Sequence, residues 1–127
     1  MTAPKWIESV VVEFGRAAGL KNFALNERGA AAVAFENGMK LRFEYAFDSM
    51  AIAVTVPSRL DPAVARRLLS YTHPAARHAF KLRTGWIQKS SVAAFVARLP
   101  GREVTLPSLN AVFAALWRIA QDFGGAP

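Results

Sequence analysis

Cysteine is absent from the 127 residues of this chain, and histidine occurs only twice. The lack of cysteine excludes disulfides, zinc–thiolate sites and thiol nucleophiles. His73 and His78 are close in sequence, but no acidic cluster accompanies them to complete a metal site. No nucleophile elbow and no phosphate-cradling glycine loop occurs either. We therefore expect no catalytic residue, no metal and no cofactor, and we interpret the chain as a protein that is not an enzyme.

Long apolar runs are missing as well. No stretch of the sequence approaches the roughly 18 apolar residues that span a bilayer. The opening residues, Met1 to Lys5, lack the charged start and apolar stretch of a signal peptide. These absences predict a cytoplasmic protein without membrane insertion.

The composition is that of a folded protein. Hydrophobic residues make up 53% of the chain and charged residues 20%, which excludes a disordered chain. The length suits one domain over residues 1–127, with enough buried surface to fold without metal or disulfide staples. The chain contains no internal repeat and no low-complexity linker.

Apolar residues recur at helix or strand spacing along most of the sequence. Steps of three and four predict a helix over about 4–18, a short middle helix after Asp61-Pro62, and a last helix from about Thr105 to Gly124. Period-two alternation predicts three strands before the middle helix and two after it, at about 79–88 and 91–99. The order α-β-β-β-α-β-β-α predicts an α+β fold, with the helices packed on a strongly twisted antiparallel sheet.

The apolar pattern also selects the register of the strands, because a slip of one residue moves every side chain to the other face. In the first hairpin, a three-residue loop over 36–38 places Val33 opposite Leu41. We expect two-residue loops at Asp48-Ser49 and at Lys89-Ser90 in the later hairpins. The resulting cross-strand pairs are Tyr45 with Ile52, Phe43 with Val54, Leu82 with Ala97, Trp86 with Ala93, and Phe80 with Leu99.

Positive charge is concentrated in one part of the chain. The net charge is +7, yet residues 1–58 are balanced, and residues 59–102 hold nine basic side chains against Asp61 alone. Such a region attracts nucleic acid, an acidic lipid surface or an acidic protein. It is equally typical of a solvated face that aids solubility. The basic patch expected here consists of Arg66, Arg67, Arg77, Lys81, Arg83 and Arg98.

Two neighbouring stretches carry a resemblance to a known family. They are Phe14-Gly15-Arg16-Ala17-Ala18-Gly19-Leu20 and Phe23-Ala24-Leu25-Asn26-Glu27-Arg28-Gly29. They resemble the opening of class I type III secretion chaperones, the Tir-chaperone-like family, in which a first helix and a polar turn lead into three strands. Leu68-Leu69 and Leu99-Pro100 are similar to the family too, so the resemblance covers nearly the whole chain.

This resemblance implies a bacterial chaperone without enzymatic activity. It would bind the N-terminal segment of an effector protein in extended, unfolded form and keep that segment competent for export. It would also form a homodimer through the middle helix and the following strand. The implied effector contacts are Trp6, Val10, Phe35, Phe43 and Val54. The implied dimer contacts are Leu68, Leu69, Tyr71, Phe80 and Leu82. For each of these residues, packing in the core is the other interpretation.

Two further interpretations stay open. The chain can be read as a basic nucleic-acid-binding or regulatory module that uses residues 59–102, although it lacks an RNP-like aromatic signature. Alternatively, the basic region grips an acidic effector or an acidic partner chaperone. The chain differs from the family in this respect, because members are usually acidic and this sequence has a pI of about 10.6.

Overall fold

The computed structural model describes residues 3–72 and 80–125. Within these ranges, helices and strands follow in the order predicted from the sequence. The elements are α1 (Lys5–Ala17), β1 (Ala30–Ala34), β2 (Lys40–Ala46), β3 (Ser49–Pro57), α2 (Pro62–Ser70), β4 (Leu82–Ile87), β5 (Val92–Pro100) and α3 (Leu106–Gly125). A single turn of 3-10 helix, Gly101–Glu103, connects β5 to α3. His73, Arg77 and His78 lie outside the described residues.

The strands form one antiparallel sheet with the spatial order β1-β2-β3-β5-β4. The first three strands are a meander, and β5 returns beside β3, which leaves β1 and β4 at the two edges. α3 packs across β3 and β5, and α1 packs against α3. The predicted α+β architecture, with helices on an antiparallel sheet, is confirmed.

The core lies between the helices and the inward face of the sheet. Its centre is Phe14 of α1, whose ring lies 5.9 Å from Phe23, 5.0 Å from Phe43 and 5.5 Å from Phe113. Burying a side chain of this size contributes about 1.5–3 kcal/mol, so this cluster is a major source of stability. A second aromatic cluster, nearer to α2, consists of Tyr71, Phe95 and Phe123.

α1 ends where the sequence predicts. Gly19 adopts a φ of 74°, and the N–H of Leu20 donates to the carbonyl of Gly15 at 2.8 Å, which closes the helix in a left-handed turn. Gly15 has a different role, because a Cβ there would lie 2.7 Å from the Cβ of Phe23. The glycine therefore lets the returning chain pack directly against α1.

The first and third hairpins have the predicted registers. Val33 pairs with Leu41, and Gly38 takes the left-handed φ of 88° that the three-residue loop requires. In the third hairpin Leu82 pairs with Ala97 and Trp86 with Ala93. The predicted pair of Phe80 and Leu99 falls outside this ladder, because β4 begins at Leu82.

The second hairpin differs from the prediction. Its loop residues are Phe47 and Asp48, with φ of 52° and 58°, instead of Asp48 and Ser49. Consequently Tyr45 pairs with Met50 and not with Ile52. Likewise, Phe43 pairs with Ile52 and not with Val54. The partner changes by two positions, so every side chain keeps its face and the apolar pattern does not distinguish the two registers.

Side chains cap the two later helices. The carboxylate of Asp61 accepts a hydrogen bond from the N–H of Val64 at 2.8 Å, and Pro62 occupies the first turn of α2. At the start of α3, the hydroxyl of Thr105 accepts from the N–H of Ser108 at 3.2 Å. These caps fix where the chain leaves the sheet and enters each helix.

Candidate functional site

α1 presents apolar surface beyond the face that it buries. Ile7 and Val11 are fully buried, whereas Trp6 is 50% exposed. Val10 is partly buried against the core. Because residues four positions apart lie on the same side of a helix, Trp6 and Val10 form a continuous apolar strip, here called the α1 stripe. Both residues are among the predicted effector contacts.

Phe35, another predicted effector contact, lies at the end of β1. Its ring packs edge-on against Trp117 of α3, with 4.8 Å between the ring centroids. Trp117 in turn contacts Phe113, which packs on Phe14 of α1. Phe35 is only partly buried, so it is the accessible end of a row of rings that leads back to α1.

The remaining two predicted effector contacts are corrected by the structure. Phe43 and Val54 have no exposed surface. Both point to the inward face of the sheet, beneath the helices, and a side chain without accessible surface cannot contact a bound segment. The alternation that places them on one face is the signal for the core, and it does not by itself indicate a binding surface.

The open edge of the sheet at β1 offers backbone hydrogen-bonding groups. Phe35 donates to the carbonyl of Met39 at 2.8 Å, so the odd-numbered residues of β1 bond to β2. The N–H and C=O of Ala32 and Ala34 therefore point away from β2, to the outside of the sheet. Asn26 satisfies the corresponding groups of Ala30, through its side chain and its N–H. We call Ala32 and Ala34 the β1 edge.

α2 is held to the end of α3 by polar groups. The guanidinium of Arg67 lies 4.8 Å above the ring of Phe123 and donates to the carbonyl of the same residue at 2.9 Å. The hydroxyl of Tyr71 donates to Asp122 at 2.6 Å. Burial and, next, this hydrogen bond raise the pKa of Tyr71. Arg67, predicted as part of a basic patch, is thus engaged within the protein.

The predicted dimer contacts differ sharply in exposure. Leu69 on α2 is 67% exposed, whereas Leu68 and Leu82 belong to the buried core. Tyr71 and Phe80 are partly buried against the core. Ile87, which is exposed on β4, was not singled out from the sequence. Ile87 directly follows the inward-facing Trp86, so the alternation of the strand indicates that it faces outward. Leu69 is therefore the most exposed of the predicted dimer residues.

Three residues of the predicted basic patch meet at one cavity. Lys81, Arg83 and Arg98 line a cavity of about 480 Å³ on the outer side of the sheet, where β4 and β5 approach the β2–β3 turn. A guanidinium nitrogen of Arg98 donates to the hydroxyl of Ser49 at 3.0 Å. We call this site the basic cavity. Arg66 is exposed on α2 and is not among its lining residues.

Residues 3–72 and 80–125 contain no group of three histidine, cysteine or acidic side chains able to hold a metal ion. Over the same ranges, no helix combines the length and the apolar character needed to cross a membrane.

The fold is shared with chains of several solved complexes. The ExsC–ExsE complex contains a chain with a TM-score of 0.81 and 20% identity, covering 98% of this chain and 95% of that chain. The HopA1–SchA chaperone–effector complex gives a TM-score of 0.70 at 14% identity, with 98% and 99% covered. The ExoU–SpcU complex of Pseudomonas aeruginosa gives 0.67 at 14% identity, with 94% and 95% covered. No curated protein sequence matches the chain.

These similarities show that the chain has the fold of the chains in these complexes. The family model for the type III secretory system chaperone SycN matches residues 6–123. The chain belongs to this family, and the resemblance to type III secretion chaperones is confirmed. The nucleic-acid alternative finds no support in these comparisons.

Proposed function

We propose that this chaperone binds the N-terminal segment of a secreted effector in extended, unfolded form, in the bacterial cytoplasm, and keeps the segment competent for export. The binding needs no catalysis. The observation that carries the proposal is the open β1 edge on a strand that shares its core with α1. Phe14 of α1 packs on Phe43 of β2, and Phe43 pairs with Ala31 of β1.

An extended segment matches this surface chemically. Its backbone can pair with the free N–H and C=O groups of Ala32 and Ala34, which gives affinity without requiring a particular sequence. Alternate side chains of an added strand point to the same face. Apolar side chains on that face would contact Phe35, and other apolar side chains of the segment would contact the α1 stripe. These contacts would select segments with apolar residues at suitable positions. The similarity to a chaperone–effector complex supports this assignment.

The effector proposal is tested by titrating the purified chaperone with the N-terminal segment of a secreted protein encoded beside its gene. We expect Trp6→Glu to weaken binding about tenfold or more, because it places a charge in an apolar contact. Val12→Glu is the matched control: Val12 is also exposed on α1, but it lies on another side of the helix. Equal weakening by both variants, measured by calorimetry, contradicts a specific α1 stripe.

We further propose that two copies associate through α2, with Leu69 near the centre of the contact. Leu69 exposes an apolar side chain to water on a short helix, and a second copy of the chain would cover it. Ile87 on β4 supplies further apolar surface on the neighbouring strand. Exposed Arg66 on α2 makes an acidic partner protein the alternative occupant.

The dimer proposal is tested by size exclusion with light scattering. We expect the wild-type chain to elute at about twice its monomer mass and Leu69→Glu to elute as a monomer, because the interface would bury an unpaired charge. Leu60→Glu, at an exposed leucine before α2, is the control and should stay dimeric. A Leu69→Glu variant that is dimeric at micromolar concentration refutes this interface. If the wild-type chain is a monomer and dimerises only with an acidic chaperone, the assembly is a heterodimer and not a homodimer.

A further inference from the structure

We infer that the basic cavity binds the carboxylate side chain of an acidic residue in the bound polypeptide. This inference rests on the proposed function, because the acidic residue belongs to the segment that the chaperone is proposed to bind. It adds a second, electrostatic point of recognition at the opposite end of the sheet from the β1 edge.

The cavity has an excess of positive charge that favours an anionic ligand. Lys81, Arg83 and Arg98 line it together with a single acidic residue, Asp48. The carboxylate of Asp48 already accepts a hydrogen bond from the hydroxyl of Tyr45 at 2.9 Å. The ion pair present within residues 3–72 and 80–125 joins Arg42 and Glu44, so the cavity cations have no carboxylate at ion-pair distance there.

The cavity is also preformed. The carbonyl of Asp48 accepts a hydrogen bond from the N–H of Gly101 at 2.8 Å, which joins the β2–β3 turn to the end of β5. A Cβ at Gly101 would lie 2.7 Å from a carboxylate oxygen of Asp48 and 3.1 Å from its carbonyl oxygen, so a larger residue there would crowd the turn. The hydrogen bond to Asp48 also raises the pKa of Tyr45. Because these contacts already fix one wall, a ligand binds with little ordering cost.

The shape and lining favour a carboxylate side chain over a nucleic acid. Guanidinium groups bind carboxylates through two parallel hydrogen bonds, and the cavity offers two such groups. Val96 and Pro100 contribute an apolar wall suited to the methylene groups of an acidic side chain. No aromatic side chain lines the cavity, whereas proteins that hold single-stranded nucleic acid usually stack bases on aromatic rings.

One segment can reach both the β1 edge and the cavity. Neighbouring strands lie about 4.8 Å apart, so the sheet is about 20 Å wide from β1 to β4. An extended chain covers about 3.3 Å per residue, so about six residues cross that width. The acidic residue is therefore expected roughly that far along the segment from the residues paired with β1.

The test compares two short synthetic peptides, one alternating valine with glutamate and the other alternating valine with glutamine. We expect the glutamate peptide to bind more tightly to the wild-type chain. The double variant Arg83→Gln with Arg98→Gln should bind the glutamate peptide about tenfold more weakly or worse, since hydrogen bonds to charged groups are stronger than those between neutral groups. Lys89 is a cation in the β4–β5 turn that does not line the cavity. Lys89→Gln should therefore change the affinity for the glutamate peptide less than about twofold.

Several results would overturn the inference. It fails if the glutamine peptide binds as tightly as the glutamate peptide, or if Lys89→Gln weakens binding as much as the double variant does. It also fails if a single-stranded oligonucleotide displaces the glutamate peptide and the double variant no longer binds the oligonucleotide. If the two peptides bind equally and Trp6→Glu weakens both, the proposed function stands and only the cavity inference falls. If neither binds and the effector segment does not bind, both fall.

Two further measurements locate the site. Amide NMR signals of Ser49, Val96 and Gly101 should shift on adding the glutamate peptide and stay in place in the double variant. Arg98→Lys keeps the charge and removes the planar fork, so it should retain part of the affinity that Arg98→Gln loses. Unchanged signals at all three positions in the wild-type chain place the bound carboxylate elsewhere and overturn the inference.

Discussion

The α1 end and the α2 end of this molecule are held in place by different forces. At the α1 end, Phe14 is fully buried and surrounded by three other rings, and Gly15 permits direct contact with Phe23. At the α2 end, a cation over a ring and a tyrosine–aspartate hydrogen bond attach a two-turn helix to α3. Dense apolar burial holds the first end, whereas the second combines buried Leu68 and an aromatic cluster with partly exposed polar contacts.

This difference bears on which end the proposed second copy would stabilise. Apolar burial contributes several kcal/mol at one site, whereas a hydrogen bond contributes a net of about 1 kcal/mol. The α1 end therefore has the larger apolar contribution, which suits it to present a fixed surface to the proposed effector segment. The α2 end leaves Leu69 exposed, so the proposed association with a second copy would add apolar burial there.

The largest effect is expected at the centre of the α1 end. Phe14→Ala should lower the free energy of unfolding by about 3–5 kcal/mol, because it removes a fully buried ring and leaves a cavity among Phe23, Phe43 and Phe113. Urea unfolding followed by tryptophan fluorescence measures the change. A loss no larger than that caused by Tyr71→Phe would remove the contrast between the two ends.

The second effect concerns the close approach of α1 and the returning chain. Gly15→Ala should destabilise by about 1–3 kcal/mol, because the new Cβ overlaps Phe23 and this outweighs the better helix propensity of alanine. Gly85→Ala is the control, since a Cβ there meets nothing within 4 Å. If Gly15→Ala is stabilising in the same urea experiment, the packing at α1 is looser than described.

At the α2 end, Tyr71→Phe should destabilise by about 1 kcal/mol through loss of the hydrogen bond to Asp122. The pKa of Tyr71 is raised in the folded state, so the folded protein holds this proton more tightly than the unfolded chain does. The stabilisation is complete below the unfolded pKa of about 10 and is lost as the pH rises through the folded pKa.

Unfolding free energies measured between about pH 8 and about pH 11 check this direction. The decrease with pH should be smaller in Tyr71→Phe than in the wild type. A decrease should still remain in that variant, because the hydrogen bond to Asp48 raises the pKa of Tyr45 in the same direction. An identical pH dependence in the two proteins would show that Tyr71 does not contribute.

The smallest effect is expected at the β2–β3 turn, beside the basic cavity. Phe47 is 87% exposed and adopts a φ of 52°, a conformation that bulky residues rarely take. Phe47→Asn should stabilise the fold by up to about 1 kcal/mol, because asparagine is favoured in such turns. Phe47→Ala lacks the short polar side chain that lets asparagine adopt a positive φ, so it should gain nothing. Equal gains in both variants, measured by thermal unfolding, would point to the exposed ring as the cause instead.

Local signals in the sequence were sufficient for most of the fold. The apolar periodicity, the Asp61 cap and Gly19 marked helix positions to within one or two residues. The loop over 36–38 followed from alternation, because the competing loop would have turned Val33 to the wrong face. Alternation could not place the β2–β3 turn, since both registers keep the same faces. Contacts of Asp48 with Tyr45 and Gly101 accompany the observed turn.

The candidate site was less predictable than the fold. The family resemblance implied Phe43 and Val54 as effector contacts together with Trp6 and Val10, because the apolar positions that it rests on report hydrophobicity and not accessibility. Only the packing of the helices on the sheet separates core residues from exposed ones. It likewise distinguishes Leu68, 6% exposed, from its neighbour Leu69.

By itself, the sequence determined the order of the elements, the inward face of each strand, the charge imbalance and the family resemblance, because these depend on residue types at short spacing. The tertiary structure decided which cations share a site: Arg67 turns to Phe123 of α3, whereas Arg83 and Arg98 meet at the β2–β3 turn. Residues distant in sequence come together through strand pairing and helix packing, and those long-range contacts leave no periodic signal in the chain.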